Sequence, residues 1–237
     1  KDMKILKPAI GYEHKASSPD ALTSEYIYPR LQEFIKDNDI IVAETGIIPH
    51  GVAPMKFPAT AELQTQTLWG SIGWATPAAP KSRVILITGE GSHQLTAMEI
   101  GNMLRRGVKP IVIVLNNKGY TIERVLSETP KDCFNDIMQM NYSKFARVFE
   151  GDVWSTKVST ADDFDKALKV TQIMNKMCYI EICTEAMDMP KLTQDLIANL
   201  KSKAPKIEAV KKEEPVKLEN SGSMAFETTV HKGFTEE

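Results

Sequence analysis

The stretch from Gly89 to Glu123 carries most of the chemistry in this sequence. It opens Gly89-Glu90-Gly91-Ser92, and 24 residues separate Gly91 from Asn116-Asn117-Lys118-Gly119-Tyr120-Thr121-Ile122-Glu123. Glu90 offers a carboxylate, Asn117 an amide oxygen and Gly119 a backbone carbonyl. These are oxygen donors of the kind Mg²⁺ takes alongside phosphate oxygens. Gly91 and Ser92 leave a helix N-terminus open to a phosphate, with N–H groups pointing outward. The N–H groups near Thr121 and Ile122 can serve in the same way. The set suits a magnesium diphosphate. Either half alone also reads as a plain strand-end turn; both halves in order, each ending a strand, favour the ligand.

Those residues need strands to deliver them. Residues 84–88 are a short apolar run rich in β-branched side chains, the mark of a buried strand. A helix is predicted over 94–106, with Leu95, Met98, Ile100, Met103 and Leu104 as its apolar face and Gly107 as its end. The next strand is predicted over 110–115, so Glu90 and the asparagine pair fall at the carboxyl ends of successive strands, where open parallel sheets bind ligands. Further strands are expected over 40–44, 154–158 and 177–183. Further helices are expected over 24–38, 143–149, 162–175 (with Ser159 and Thr160 as capping candidates) and 189–200. Alternating strands and helices imply an α/β fold, an open and mostly parallel sheet covered by helices on both faces. No internal repeat is visible.

Composition excludes several classes. With 29 basic and 31 acidic residues interspersed, the net charge of −2 leaves no electrostatic footprint for nucleic acid. No apolar run is long enough to span a membrane, and the amino end, Lys-Asp-Met-Lys-Ile-Leu-Lys, is no signal peptide. Three cysteines, an odd number and not at zinc spacing, read as reduced thiols of a cytoplasmic protein. Residues 1–21 read as a linker from a preceding domain, 22–200 as the globular domain and 201–237 as a flexible, charge-rich tail.

The order Gly-acid-Gly, then Asn-Asn, resembles the thiamine diphosphate signature. Gly119-Tyr-Thr-Ile-Glu123, Trp69-Gly-Ser-Ile-Gly73 and Ala43-Glu-Thr-Gly46 are similar to the pyruvate and indolepyruvate decarboxylase branch of the thiamine diphosphate-dependent 2-oxo acid decarboxylases. The resemblance runs from about residue 22 to about residue 200. It implies that Glu90, Asn117 and the Gly119 carbonyl hold Mg²⁺. It implies that Gly91, Ser92, Thr121 and Ile122, with Tyr120 beside them, lie along the diphosphate, and that Thr45, Gly70 and Ile72 meet the cofactor rings. The resemblance makes Ile72 the expected wedge that bends the cofactor. By the same resemblance Glu123 is expected to be the active-site carboxylate beside the substrate, and to be partly buried. The cofactor supplies the electron sink.

The same resemblance implies a partner. The family places the cofactor between domains of different subunits of a dimer or tetramer. A pyrimidine-binding domain contributes a glutamate and a pair of adjacent histidines. This chain has His14, His50, His93 and His231, none adjacent to another, so it is expected to be inactive alone. Three positions depart from the family. Glu90 replaces the usual Asp. His93 replaces an apolar residue and reads as a helix-cap or surface histidine. Residues 74–83 are shorter than the helix the family has there. Ile122, with Leu126 one turn beyond Glu123, leans towards pyruvate, giving acetaldehyde and CO₂. Phenylpyruvate or indolepyruvate decarboxylation is one alternative, and a non-catalytic Mg-diphosphate-binding remnant is another. The tail is a candidate to dock near the active-site mouth.

Overall fold

A computed structural model describes residues 11–13, 21–78 and 83–203. Six strands form one sheet in the order β2-β1-β3-β4-β6-β5, every neighbouring pair parallel. They are β1 (Ile40–Ala43), β2 (Glu62–Thr65), β3 (Val84–Gly89), β4 (Ile111–Asn116), β5 (Val153–Val158) and β6 (Met177–Cys183). The helices are α1 (Ser24–Phe34), α2 (Ile48–Val52), α3 (Glu90–Thr96), α4 (Glu99–Arg105), α5 (Thr121–Leu126), α6 (Tyr142–Phe145), α7 (Ala161–Ile173) and α8 (Lys191–Lys203). Apart from the last residue of α8, these elements belong to one compact unit that ends at Ser202; a second unit, 203–237, is described only at its first residue.

The two faces of the sheet follow from the alternation of side chains along a strand. On one face Ile41, Ile85, Ile87, Ile113 and Ile180 pack with Leu31 and Phe34 of α1 and Phe164 and Leu168 of α7. On the other, Val42, Leu86, Val112, Val114 and Tyr179 pack with Ile100 and Met103 of α4 and with Tyr142 of α6. The central strands are buried on both faces, so they read as unbroken apolar runs. β2, at the edge, is mostly exposed, and its sequence carries no such run.

The expected parallel α/β sheet is present, and several element boundaries differ. α1 stops at Phe34 instead of running to 38: Ile35 is extended, and Asn38 takes the left-handed conformation with φ 64°. The single helix expected over 94–106 is two, broken at Ala97–Met98, where the N–H groups of Ile100 and Gly101 bond three residues back instead of four. The break lets Gly101 lie against Phe149; a Cβ there would come within 2.7 Å of that ring. It also turns Leu95 and Met98 out to solvent, so only Ile100 and Met103 of the expected apolar face are buried and Leu104 is partly so. Thr160 is the cap of α7, accepting from the Asp163 N–H at 3.2 Å. The short segment after Trp74 holds one 3₁₀ turn, Thr76–Ala78, and residues 79–82 lie outside the described residues. So do the linker apart from 11–13 and 21, and the tail from 204 on.

Candidate active site

The chain leaves β1 towards one face of the sheet, where Ile47, Ile48 and Val52 join the first core. It leaves β3 towards the other, where His93 lies edge-on to Phe145 and tilted against Tyr179. Such a divergence at the carboxyl ends of adjacent strands opens a crevice. A cavity of about 860 Å³ occupies it. All twelve site residues expected from sequence line this cavity: Thr45, Gly70, Ile72, Glu90, Gly91, Ser92, Asn117, Gly119, Tyr120, Thr121, Ile122 and Glu123. Leu126 lines it too.

Glu90 begins α3 with its carboxylate buried, 1% exposed. Its Oε1 accepts from the Gly119 N–H at 2.6 Å. Burial lifts its carboxyl to about 7, against the N–H donors and Arg124, which pull it down. The Asn117 amide meets the same spot. Turned one way, its nitrogen donates to the Gly119 carbonyl at 2.7 Å and to Glu90 Oε1 at 3.3 Å. Turned the other way, its oxygen takes that place and three oxygens converge, an arrangement that a cation makes favourable. Carboxylate, amide and carbonyl oxygens within reach of one another are the donor set of a hard divalent cation. The longer side chain of Glu90 therefore reaches the same point as its two partners, and the residues present fit Mg²⁺.

The loop that presents Asn117 and Gly119 is held in an unusual shape. Lys118 and Gly119 both have positive φ, 62° and 136°. A Cβ on Gly119 would fall 2.3 Å from Arg124 Nη2 and 2.4 Å from the Asn135 carbonyl, so only glycine fits. Buried Arg124 donates to the Asn117 carbonyl at 3.3 Å, to the Lys118 carbonyl at 2.5 Å and to Asp136 at 2.7 Å. Asn116 faces away: its amide donates to Glu181 of β6 at 2.9 Å. Burial alone would raise the Glu181 carboxyl, but the Ser143 N–H, Asn116 and Lys157 outweigh it and hold it below the usual carboxylate value.

Gly91 and Ser92 are buried, and Gly91 lies under the Tyr120 ring; a Cβ there would come within 2.5 Å of Tyr120 Cε1. Thr121 donates to the Ala186 carbonyl at 2.7 Å, tying the start of α5 to the loop after β6. At the other end of the cavity, the Thr45 hydroxyl donates to the Gln66 carbonyl and accepts from Trp74 Nε1 at 3.2 Å. Gly70 has φ 64°, and Ile72 is 36% exposed, free to meet a ligand. Glu123 is exposed in this chain, against the partial burial expected of it.

His93 is no surface histidine. It is fully buried, with Nδ1 3.1 Å from Thr76 Oγ1 and Nε2 2.9 Å from Tyr179 Oη. Burial lowers its pKa to about 4, so the ring is neutral and knits α3 to β6. Sequence reasoning missed Glu44. Its buried carboxylate accepts from the Thr45 N–H at 2.9 Å and the Ala75 N–H at 3.1 Å, joining the strand end to the loop after Gly73. The signal was present, an acid closing an apolar strand. Reasoning also missed the wall formed by Ile47, Ile48, Pro49, His50 and Ala53, and by Leu196, Ile197 and Leu200 of α8. No periodicity marks five-residue α2.

The thiamine pyrophosphate (thiamine diphosphate) enzyme model for the C-terminal TPP binding domain matches residues 50–182. The pyruvate decarboxylase of Candida glabrata is 35% identical over 198 residues, 77% of this chain and 35% of that protein. Pyruvate decarboxylase isozyme 1 of Saccharomyces cerevisiae is 36% identical over 190 residues, 74% of this chain and 33% of that protein. The chain thus spans about a third of the length of the curated relatives it matches. Among solved structures, benzoylformate decarboxylase from Polynucleobacter necessarius superposes with a TM-score of 0.65 at 18% identity, over 76% of this chain and 36% of that one, a likeness of fold. With a match over more than half its residues, the chain belongs to the thiamine pyrophosphate enzymes and carries their C-terminal, TPP-binding domain.

Proposed function

We propose that this chain is the diphosphate-binding part of a Mg²⁺-dependent decarboxylase that converts a 2-oxo acid, pyruvate by preference, to the aldehyde and CO₂. A pyrimidine-binding domain, supplied by another chain or another part of the same one, completes the site in a homo-oligomer. The observation that supports the reading is the cavity itself: all twelve site residues expected from the sequence line it, with Glu90, the Asn117 amide and the Gly119 carbonyl meeting at one spot and Glu123 among the lining residues. The similarity to pyruvate decarboxylases supports the same reaction class.

Thiamine diphosphate, when bound, supplies the electron sink for the electrons released as CO₂ leaves. The residues of this chain hold one end of the cofactor and handle the proton. Glu90, Asn117 and the Gly119 carbonyl hold the metal, and Arg124 holds their loop. Gly91, Ser92, Tyr120, Thr121 and Ile122 line the diphosphate, while Thr45, Gly70 and Ile72 support the rings. Turning a 2-oxo acid into an aldehyde consumes one proton per turnover. Glu123 is the acid on this wall placed to deliver it to substrate C2, a role for a positioned general acid. Ile122 and Leu126 bound the space left for the substrate side chain. One methylene in such a pocket is worth about 1–3 kcal/mol, so the preference for pyruvate is modest.

Steady-state rates of the completed enzyme with pyruvate, phenylpyruvate and indolepyruvate test the reading. Pyruvate should give the highest kcat/KM, and Ile122→Val or Ile122→Ala should widen the range. Higher values for the aromatic acids would replace pyruvate and leave decarboxylation standing. No turnover of any 2-oxo acid would favour a non-catalytic Mg-diphosphate-binding remnant.

A further inference from the structure

The wall of the cavity built by α2 and α8 is apolar but for one side chain. Ile47, Ile48, Pro49 and Ala53 come from the β1–α2 segment, and Leu196, Ile197 and Leu200 from α8. His50, half-buried among them, is the one titratable group that these two elements present to the cavity among the described residues. Its Nδ1 lies 2.9 Å from the hydroxyl of Thr193, at the start of α8.

That contact sets the tautomer. Thr193 is completely buried, its N–H already donates to the Pro190 carbonyl, and its hydroxyl has no partner but His50 among the described residues. A buried hydroxyl proton left without an acceptor is costly. The arrangement that satisfies it has Thr193 donating to a bare Nδ1, which places the imidazole proton on Nε2. Burial lowers the pKa of His50 below the usual histidine value, which keeps the ring neutral at neutral pH. Nε2 has no partner among the described residues, and with Nδ1 turned to α8 the other edge of the ring is left for the cavity. A pocket that is apolar but for one placed donor orients a ligand by that donor.

The geometry points to His50 as a substrate-contacting residue whose Nε2–H donates a hydrogen bond to a carboxylate or carbonyl oxygen of the 2-oxo acid. This rests on the decarboxylase reading above. His50 thereby fixes which way the acid lies against the α2–α8 wall, and Thr193 is the residue that positions it.

The test is kinetic and spectroscopic. In the completed enzyme, His50→Phe keeps a ring of similar size and removes the donor. It should raise KM for pyruvate about tenfold or more, the worth of a hydrogen bond to a charged group, with the thiamine diphosphate affinity unchanged. His50→Gln, which restores an N–H, should recover part of the loss, and Thr193→Val should raise KM less than His50→Phe. An unchanged KM in His50→Phe, or a loss of cofactor affinity instead, would make His50 a plain wall residue. Should the wild-type enzyme turn over no 2-oxo acid, the decarboxylase reading fails, and nitrogen NMR of the wild-type chain decides this one. An Nε2–H tautomer whose Nε2 resonance shifts on adding pyruvate supports it; an Nδ1–H tautomer, or no shift, overturns it.

Discussion

His93 is held between Thr76 Oγ1 and Tyr179 Oη with no contact with solvent. Its pKa of about 4 in the folded chain lies below the 6.5 it has when unfolded. The unfolded chain therefore binds the proton more readily, so stability is lost as pH falls from about 6.5 towards 4. The loss is on the order of 3 kcal/mol. Urea unfolding across that range should show a steeper acid loss for the wild type than for His93→Gln; equal slopes would mean that His93 is not its source. Glu44 and Glu90 are shifted the opposite way by burial, so the difference between the two proteins, not the slope of one, isolates the histidine. Glu123 tests the chemistry in turn. Glu123→Gln in the completed enzyme should bind cofactor normally and lose turnover by about a hundredfold or more, the usual worth of a positioned acid–base group. Unchanged turnover would remove it from the mechanism.

At the scale of elements, packing overrides local preference where α3 meets α5. Gly91 sits inside α3, where alanine would be the better helix former by about 1 kcal/mol. Its missing Cβ is what admits the Tyr120 ring. Gly91→Ala should therefore destabilise the chain by about 1–3 kcal/mol, as overpacking does, with the urea midpoint falling. Adding Tyr120→Ala should recover most of the loss, and a gain in stability from Gly91→Ala alone would show that the ring moves aside freely. The break between α3 and α4 has a related origin: Gly101 seats α4 on Phe149, and the apolar residues before the break end outside.

At the scale of the whole molecule, the proposed function makes this cavity one side of a site that a second domain completes. Leu68 and Trp69, beside Gly70, are 83% and 79% exposed, a large apolar surface next to a residue that lines the cavity. In that proposal the oxygen donors of this chain hold only the diphosphate end of the cofactor. Thiamine diphosphate should therefore bind only with Mg²⁺, and only when the remainder of the enzyme is present. Calorimetry with and without EDTA checks this, on the chain alone and on the completed protein. Tight binding to the chain alone without metal would overturn it. In the completed protein, Asn117→Ala should abolish binding.

The sequence by itself determined the parallel sheet except its edge strand β2, and which residues line the cavity, for two physical reasons. Central parallel strands are buried on both faces, so 84–88, 110–115 and 177–183 stand out as apolar runs. Oxygen donors and glycines at strand ends are read directly from residue types, so Glu90, Asn117, Gly119 and Glu123 were legible. What lacks a local signature was decided only in three dimensions. β2 is an exposed edge strand and α2 a five-residue helix, and neither carries a period that sets it apart. The roles of His93 and Arg124 depend on partners far along the chain or on backbone shape: Tyr179 is 86 residues from His93, and Arg124 answers a left-handed loop that the residue types alone do not display. His50 belongs with them. Its place in the cavity wall exists only because α8 returns, 143 residues later, to set Thr193 against its ring.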